Sequence, residues 1–243
     1  MSGARRIAAQ ALIRVETENA YSSLALNGIL KKRSSLNEKD GALATRLVYG
    51  VIERKITLDW QLSLYLKEPI KKLRPSVLTC MRLGAYQILF MDKIPPRAAV
   101  NESVSLTKEL GAGYASGIVN AVLRKIASNG LRLPDEQTDA QTYLSVKYSC
   151  PIPLLTHFVS CYGIENTKRH LAASLSSRPL FIRRNTLCCT REALASSLEA
   201  DGAAVSFRSP EGCAVLTDAG DVTKLKAFRD GWFHVQDLSS QLD

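Results

Sequence analysis

Ser128-Asn129-Gly130-Leu131-Arg132-Leu133-Pro134-Asp135 decides how this chain of 243 residues divides. Asn-Gly and Pro-Asp fall within eight residues that show no apolar period, a turn composition. On the N-terminal side, apolar residues recur at helical spacing. On the C-terminal side, short strand-like runs alternate with helical ones. The stretch is read as the boundary between an all-helical domain and a mixed one.

The helical half is a series of amphipathic segments. Ile7, Ala11, Leu12 and Val15 form one stripe, and Leu24, Leu26, Ile29 and Leu30 a second. Asn37 reads as an N-cap with Asp40 three residues on, ahead of Leu43, Leu47, Val48, Val51 and Ile52. Leu58, Leu62, Tyr65 and Leu66 continue the core, and Pro75 sits at a first helical position before Val77, Leu78, Met81, Leu83 and Ile88. Pro95-Pro96 breaks the chain, Gly111 ends the segment carrying Val100, Val104 and Leu106, and Ile118 through Ile126 makes the last helix. The expectation is about seven helices in one bundle.

Beyond the boundary, residues 138–148, 152–162 and 165–175 read as three short helices. Then come a strand at 180–185, a helix from Arg191 to Ala200 stopped by Gly202, strands at 204–208 and 213–217, a helix capped by Asp221 through Phe228, and a strand at 232–235. The order β-α-β-β-α-β is the split βαβ unit, ferredoxin-like or RRM-like, with one sheet face open. Gln236-Asp237 then opens a further helix, with Asp237 as N-cap and Leu238 and Leu242 on one face. A single turn is not stable alone, so the ending reads as the entry to a further domain. The expected division is 1–128 helical, 129–136 linker, 137–178 short helices, 179–237 the mixed domain and 238–243 the start of a further domain.

The hydrophobic fraction of 46% and charged fraction of 23% are those of a globular protein, and no apolar run could span a bilayer. Arg5-Arg6 before Ile7-Ala8-Ala9 faintly suggests a signal peptide, but Gln10 and Arg14 interrupt the run and no cleavage site follows. The net charge of +9 is uneven. Residues 1–134 carry 21 Lys and Arg against 10 Asp and Glu, and residues 135–243 carry 11 against 13. A basic half joined to a near-neutral one suggests a polyanion-binding domain attached to something else. Six cysteines without C-x-x-C pairing imply reduced thiols in a cytoplasm.

Arg5 and Arg6 on the first helix, with Lys31, Lys32 and Arg33 at the end of the second, form a candidate phosphate patch; the alternative is two solvated helix ends. Lys71, Lys72 and Arg74 are weaker candidates, and Arg124-Lys125 fits simple helix-dipole complementation. Cys150-Pro151 opens a helix, whose N-terminus lowers a thiol pKa, but no acidic partner or glycine-rich loop lies nearby and Cys150 is read as structural. His157 and Cys161 share the four-residue spacing of a metal pair without further ligands; a half-buried His and a core Cys are expected instead. Cys188 and Cys189 are expected on opposite sides of an extended chain. No phosphate-cradling G-x-G-x-x-G or G-x-x-x-x-G-K-[ST] occurs. No catalytic, cofactor-binding or metal-ligating residue is assigned.

Three segments carry a family resemblance: Leu47-Val48-Tyr49-Gly50-Val51; Pro96 to Ser103 with Gly117-Ile118-Val119-Asn120-Ala121-Val122-Leu123-Arg124; and Gly231-Trp232-Phe233-His234-Val235-Gln236-Asp237 with Ser239-Ser240-Gln241. Together they resemble the N-terminal part of RsmB/Sun-type bacterial 16S rRNA cytosine-C5 methyltransferases. The resemblance implies a NusB-like RNA-binding bundle, a small α/β domain and, beyond residue 243, a Rossmann-like domain that would bind S-adenosylmethionine and hold the reactive cysteines. It implies RNA binding through Arg5 and Arg6, an interdomain role for Gln236 and Asp237, 16S rRNA as partner, a cytoplasmic monomer away from membranes, and no cofactor or activity in this chain alone. A stand-alone NusB-like RNA-binding or antitermination module, and a protein-interaction scaffold, are the alternatives.

Overall fold

The structure, a computed structural model, describes residues 3–31, 37–176 and 179–242. They form two compact units, Met1–Leu175 and Ser176–Asp243.

The first unit opens with seven α-helices: α1 (Gly3–Glu18), α2 (Ser22–Lys31), α3 (Glu38–Glu53), α4 (Lys55–Ser63), α5 (Pro75–Phe90), α6 (Pro96–Glu109) and α7 (Ser116–Asn129). Their starts follow local chemistry. Asn37 Oδ1 accepts from the Asp40 backbone N–H at 2.6 Å, and Pro75 and Pro96 occupy first positions where a missing N–H costs nothing. Gly111 ends α6 in the left-handed region at φ 73°.

α5 is the centre of the bundle. Every residue from Val77 to Gln87 is buried, so it is covered on all sides rather than along one stripe. Its close approaches rest on glycine. A Cβ on Gly50 of α3 would lie 2.1 Å from the Tyr86 ring, and one on Gly84 2.4 Å from Leu123. Arg82 is buried, with its guanidinium on both Asp59 oxygens at 2.7 and 2.8 Å and on Glu16 at 3.3 Å. Ala25 and Leu26 turn α2 inward, whereas Leu24, expected in the core, is 68% exposed. At about 100° per residue the buried arc of α2 is centred between Ala25 and Leu26, and Leu24, about 200° from Leu26, falls outside it.

Residues 129–175 belong to this unit, a division different from the compositional one. Gln61 bonds Arg132 through both its amide groups, Trp60 Nε1 donates to Arg132 O, and Thr57 Oγ1 donates to Val146 O. Turn composition marks where the apolar period stops, and these side chains keep the chain packed beyond that point. Two helices follow, α8 (Ala140–Tyr148) and α9 (Ile152–Ser174). At Gly163 the backbone leaves the helical region (φ 71°, ψ 166°), so this stretch is two helices meeting at a kink, as expected from the sequence for 152–162 and 165–175.

The second unit runs β1 (Leu180–Arg184), α10 (Arg191–Ala200), β2 (Ala204–Phe207), β3 (Cys213–Thr217), α11 (Lys226–Arg229), β4 (Phe233–Val235) and α12 (Ser239–Leu242). The sheet order is β2-β3-β1-β4 with every neighbouring pair antiparallel. β1 and β2 are therefore parallel with β3 between them, the split βαβ arrangement. Ile182, Ala214, Leu216 and Phe233 pack under Leu194 and Leu198 of α10 and Ala227 of α11. Three expectations are corrected. The helix expected from Asp221 to Phe228 is a 3-10 turn, Val222–Lys224, then the four residues of α11; Leu225 between them is extended. Cys188 and Cys189 sit in a turn where both backbone N–H groups donate to Asn185 O, not on an extended chain. The last turn begins at Ser239, and Asp237 Oδ1 accepts from Leu238 N rather than capping further in.

Candidate nucleic-acid interface

The expected phosphate patch separates into side chains of different standing. Arg5 is turned inward on α1, its side chain 11% exposed. Its Nε donates to Gln87 Oε1 of α5 at 2.8 Å. A terminal nitrogen lies 3.7 Å from Glu102 Oε2 of α6, a buried carboxylate oxygen that takes no hydrogen bond among the described residues. Arg6, one position on and about 100° around the helix, is exposed. Lys31 is exposed at the last residue of α2. Among the described residues neither the Arg6 nor the Lys31 side chain has a hydrogen bond or ion pair. Lys32 and Arg33 lie outside the described residues.

Other cations of this unit rest on aromatic rings. Arg74 lies over Tyr114 at 5.4 Å, Lys125 over Tyr65 at 5.9 Å and Arg54 over Phe90 at 4.9 Å. Such contacts fix where the charge sits while leaving the cation hydrated on its other side. Lys71 and Lys72 form a 3-10 turn, and Lys72 is paired with Glu68 at 2.5 Å. Sequence periodicity missed a cleft bordered by Arg46 and Tyr49 on α3 and Tyr86 on α5. The available signal was a cation and a ring placed beside Gly50 on the polar side of an amphipathic helix.

In the second unit, Gln236 and Asp237 join β4 to α12. Gln236 N donates to Phe181 O at 3.2 Å, its side chain bonds His234 and Ser240 O, and Gln241 Nε2 donates to Gln236 O at 2.8 Å. These bonds fold the last turn back onto its own unit.

Burial pushes the Cys150 and Cys189 thiols above the ordinary range, and Cys80 up to about 11. His157 and Cys161 lie on an exposed face of α9, not in the core, with 3.8 Å between Sγ and Nε2. That face of α9 is open because Leu155, two residues before His157 and so about 200° around the helix, takes the inward position. Among the described residues no three His, Cys, Asp or Glu side chains come together as a metal site, and no helix is long and apolar enough to cross a membrane.

The family described as the NusB family matches residues 2–128. The "Probable ribosomal RNA small subunit methyltransferase B" of Bacillus subtilis (strain 168) is 32% identical over 238 residues, 98% of this chain and 53% of that protein. A protein of the same name from Synechocystis sp. is 31% identical over 246 residues, 99% of this chain and 54% of its own. The chain thus spans about half the length of the curated relatives it matches. The solved structure of PH0851 aligns with a TM-score of 0.70 and 18% identity over 98% of this chain and 54% of that one, a likeness of fold alone.

Proposed function

The chain belongs to the NusB family, and from that premise we propose that it is the RNA-holding part of an S-adenosylmethionine-dependent 16S rRNA cytosine-C5 methyltransferase. The observation that carries the reading is that relatives named as small-subunit rRNA methyltransferases match both of its units, 98% and 99% of the chain, and not the NusB-like part alone. This favours it over a stand-alone NusB-like module, which leaves residues 176–243 unexplained. The protein acts as a monomer in the cytoplasm, with ribosomal RNA as partner.

Residues 1–128 are assigned to RNA binding. Arg6 and Lys31 meet phosphates from solvent, and each one neutralised releases counterions. Arg5 serves the same surface indirectly, by holding α1 against α5 and α6. Gln236 and Asp237 shape the exit of the small α/β unit.

The described residues do not fit S-adenosylmethionine. The sheet is wholly antiparallel, and the β1–α10 connection, residues 185–190, has no glycine to let backbone approach a cofactor. No step of methyl transfer is therefore assigned to them; in the proposed enzyme that chemistry belongs to residues outside these 243.

The test is a salt titration of binding to unmodified 16S rRNA beside an assay with labelled S-adenosylmethionine. Affinity is expected to fall steeply and linearly in log–log form with salt, with no label transferred. Binding indifferent to salt would sink the phosphate surface, and label in the RNA would sink the division of labour.

A further inference from the structure

A cleft between α3 and α5 lies outside the cation patch. Arg46, Tyr49, Gly50, Ile52 and Glu53 of α3 and Tyr86 of α5 enclose about 420 Å³, within the roughly 300–1,000 Å³ of small-molecule sites. Its floor is a close approach: a Cβ on Gly50 would come within 2.1 Å of the Tyr86 Cζ and Oη, so glycine is what lets this phenol reach up between the helices. Tyr49 stands at the rim, 44% exposed. Among the described residues, the Arg46 guanidinium, the Glu53 carboxylate and the Tyr86 hydroxyl have no hydrogen-bond or ion-pair partner. Behind the cleft, Tyr86 meets Phe90 at 5.7 Å, and Arg54 covers Phe90.

We propose that this cleft takes one unpaired nucleotide of the bound RNA; the inference rests on the RNA-binding reading above. Aromatic faces bind unstacked bases whatever their identity, and a free acceptor such as Glu53 or a hydroxyl such as Tyr86 Oη can bond a base edge. A paired base has neither its face nor its edge to offer. Arg46 lies where the phosphate of that nucleotide would emerge, and a charge-assisted bond there has no internal partner to displace. The surrounding excess of positive charge, 21 cationic against 10 acidic residues over 1–134, favours a polyanion over an apolar protein segment as occupant.

The test uses the whole chain and two probes: a short unstructured oligoribonucleotide carrying 2-aminopurine, and an RNA duplex of equal length. The unmodified chain should quench the fluorescent base on binding the single strand. Tyr49→Ala should abolish the quenching and weaken single-strand binding about tenfold, from the loss of one base stack. Its salt slope and its duplex affinity should stay unchanged. Tyr49→Phe should behave like the parent, and Arg46→Ala should lower the salt slope by about one. Circular dichroism melting of the Tyr49 variants separates a lost site from a lost fold, and photo-crosslinking of the parent should place the base on Tyr49 or Tyr86. Quenching and affinity that survive in a folded Tyr49→Ala chain overturn the cleft alone. A parent chain that binds neither probe overturns the RNA-binding reading itself.

Discussion

Arg5 and Arg6 are neighbours of one type in sequence with opposite positions in the fold. Arg5 is the cation nearest a buried Glu102 oxygen, so Arg5→Glu is expected to destabilise the first unit by about 2–4 kcal/mol through like charges in a poorly solvated place. Arg6→Glu should leave the melting curve within experimental error and reduce RNA affinity. Equal stability of the two variants would refute the inward assignment of Arg5. Glu16 sits between two cations, Lys55 at 2.8 Å and Arg82 at 3.3 Å. Burial raises its pKa, but the Lys55 hydrogen bond and the Arg82 charge outweigh this and hold it below its ordinary 4.5. The stability it contributes is present above about 4.5 and lost as pH falls through the folded value. Denaturant unfolding should therefore show less acid dependence in Glu16→Gln. Arg82→Met, which strands Asp59 and leaves Glu16 to Lys55 alone, should cost about 3 kcal/mol near neutral pH.

At the scale of elements, helix starts were readable because their determinants are local. Asn37 with Asp40, Pro75 and Gly111 each satisfy or terminate backbone groups within four residues. Depth was not readable. The apolar and small residues of α5 carry a weak helical period, yet every side chain from 77 to 87 is buried, because five other helices and not one stripe decide its surroundings. The glycines show this best. Gly84→Ala is expected to lose about 1–3 kcal/mol, since its methyl would meet Leu123 and Ser103 in a packed interior. Leu123→Ala should relieve part of that cost, and strictly additive losses in the double variant would sink the close-packing explanation. The short α11 failed the sequence reading for the converse reason: Leu225, extended with ψ 136°, is drawn into the sheet's core and interrupts what periodicity alone continues.

At the scale of the whole molecule, positive charge belongs to the first unit: residues 1–175 carry 24 Lys and Arg against 14 Asp and Glu, and residues 176–243 carry 8 against 9. The second unit is near-neutral, so reversing one of its exposed cations, Arg208→Glu, should leave the salt slope of RNA binding unchanged, whereas Lys31→Glu should lower it by about one. Equal effects of the two would refute a binding surface confined to the first unit. The sequence by itself determined the order of elements, the helix and strand boundaries to within a few residues, the split βαβ pattern and the basic character of the N-terminal half. All of these follow from interactions over short chain distances or from simple counts. Only the tertiary structure decided that Arg5 is spent inside the bundle, that residues 129–175 pack with the first unit, and that Arg46, Tyr49 and Tyr86 share one cleft. Each depends on which helices meet and how closely, and that is set by packing between residues tens of positions apart.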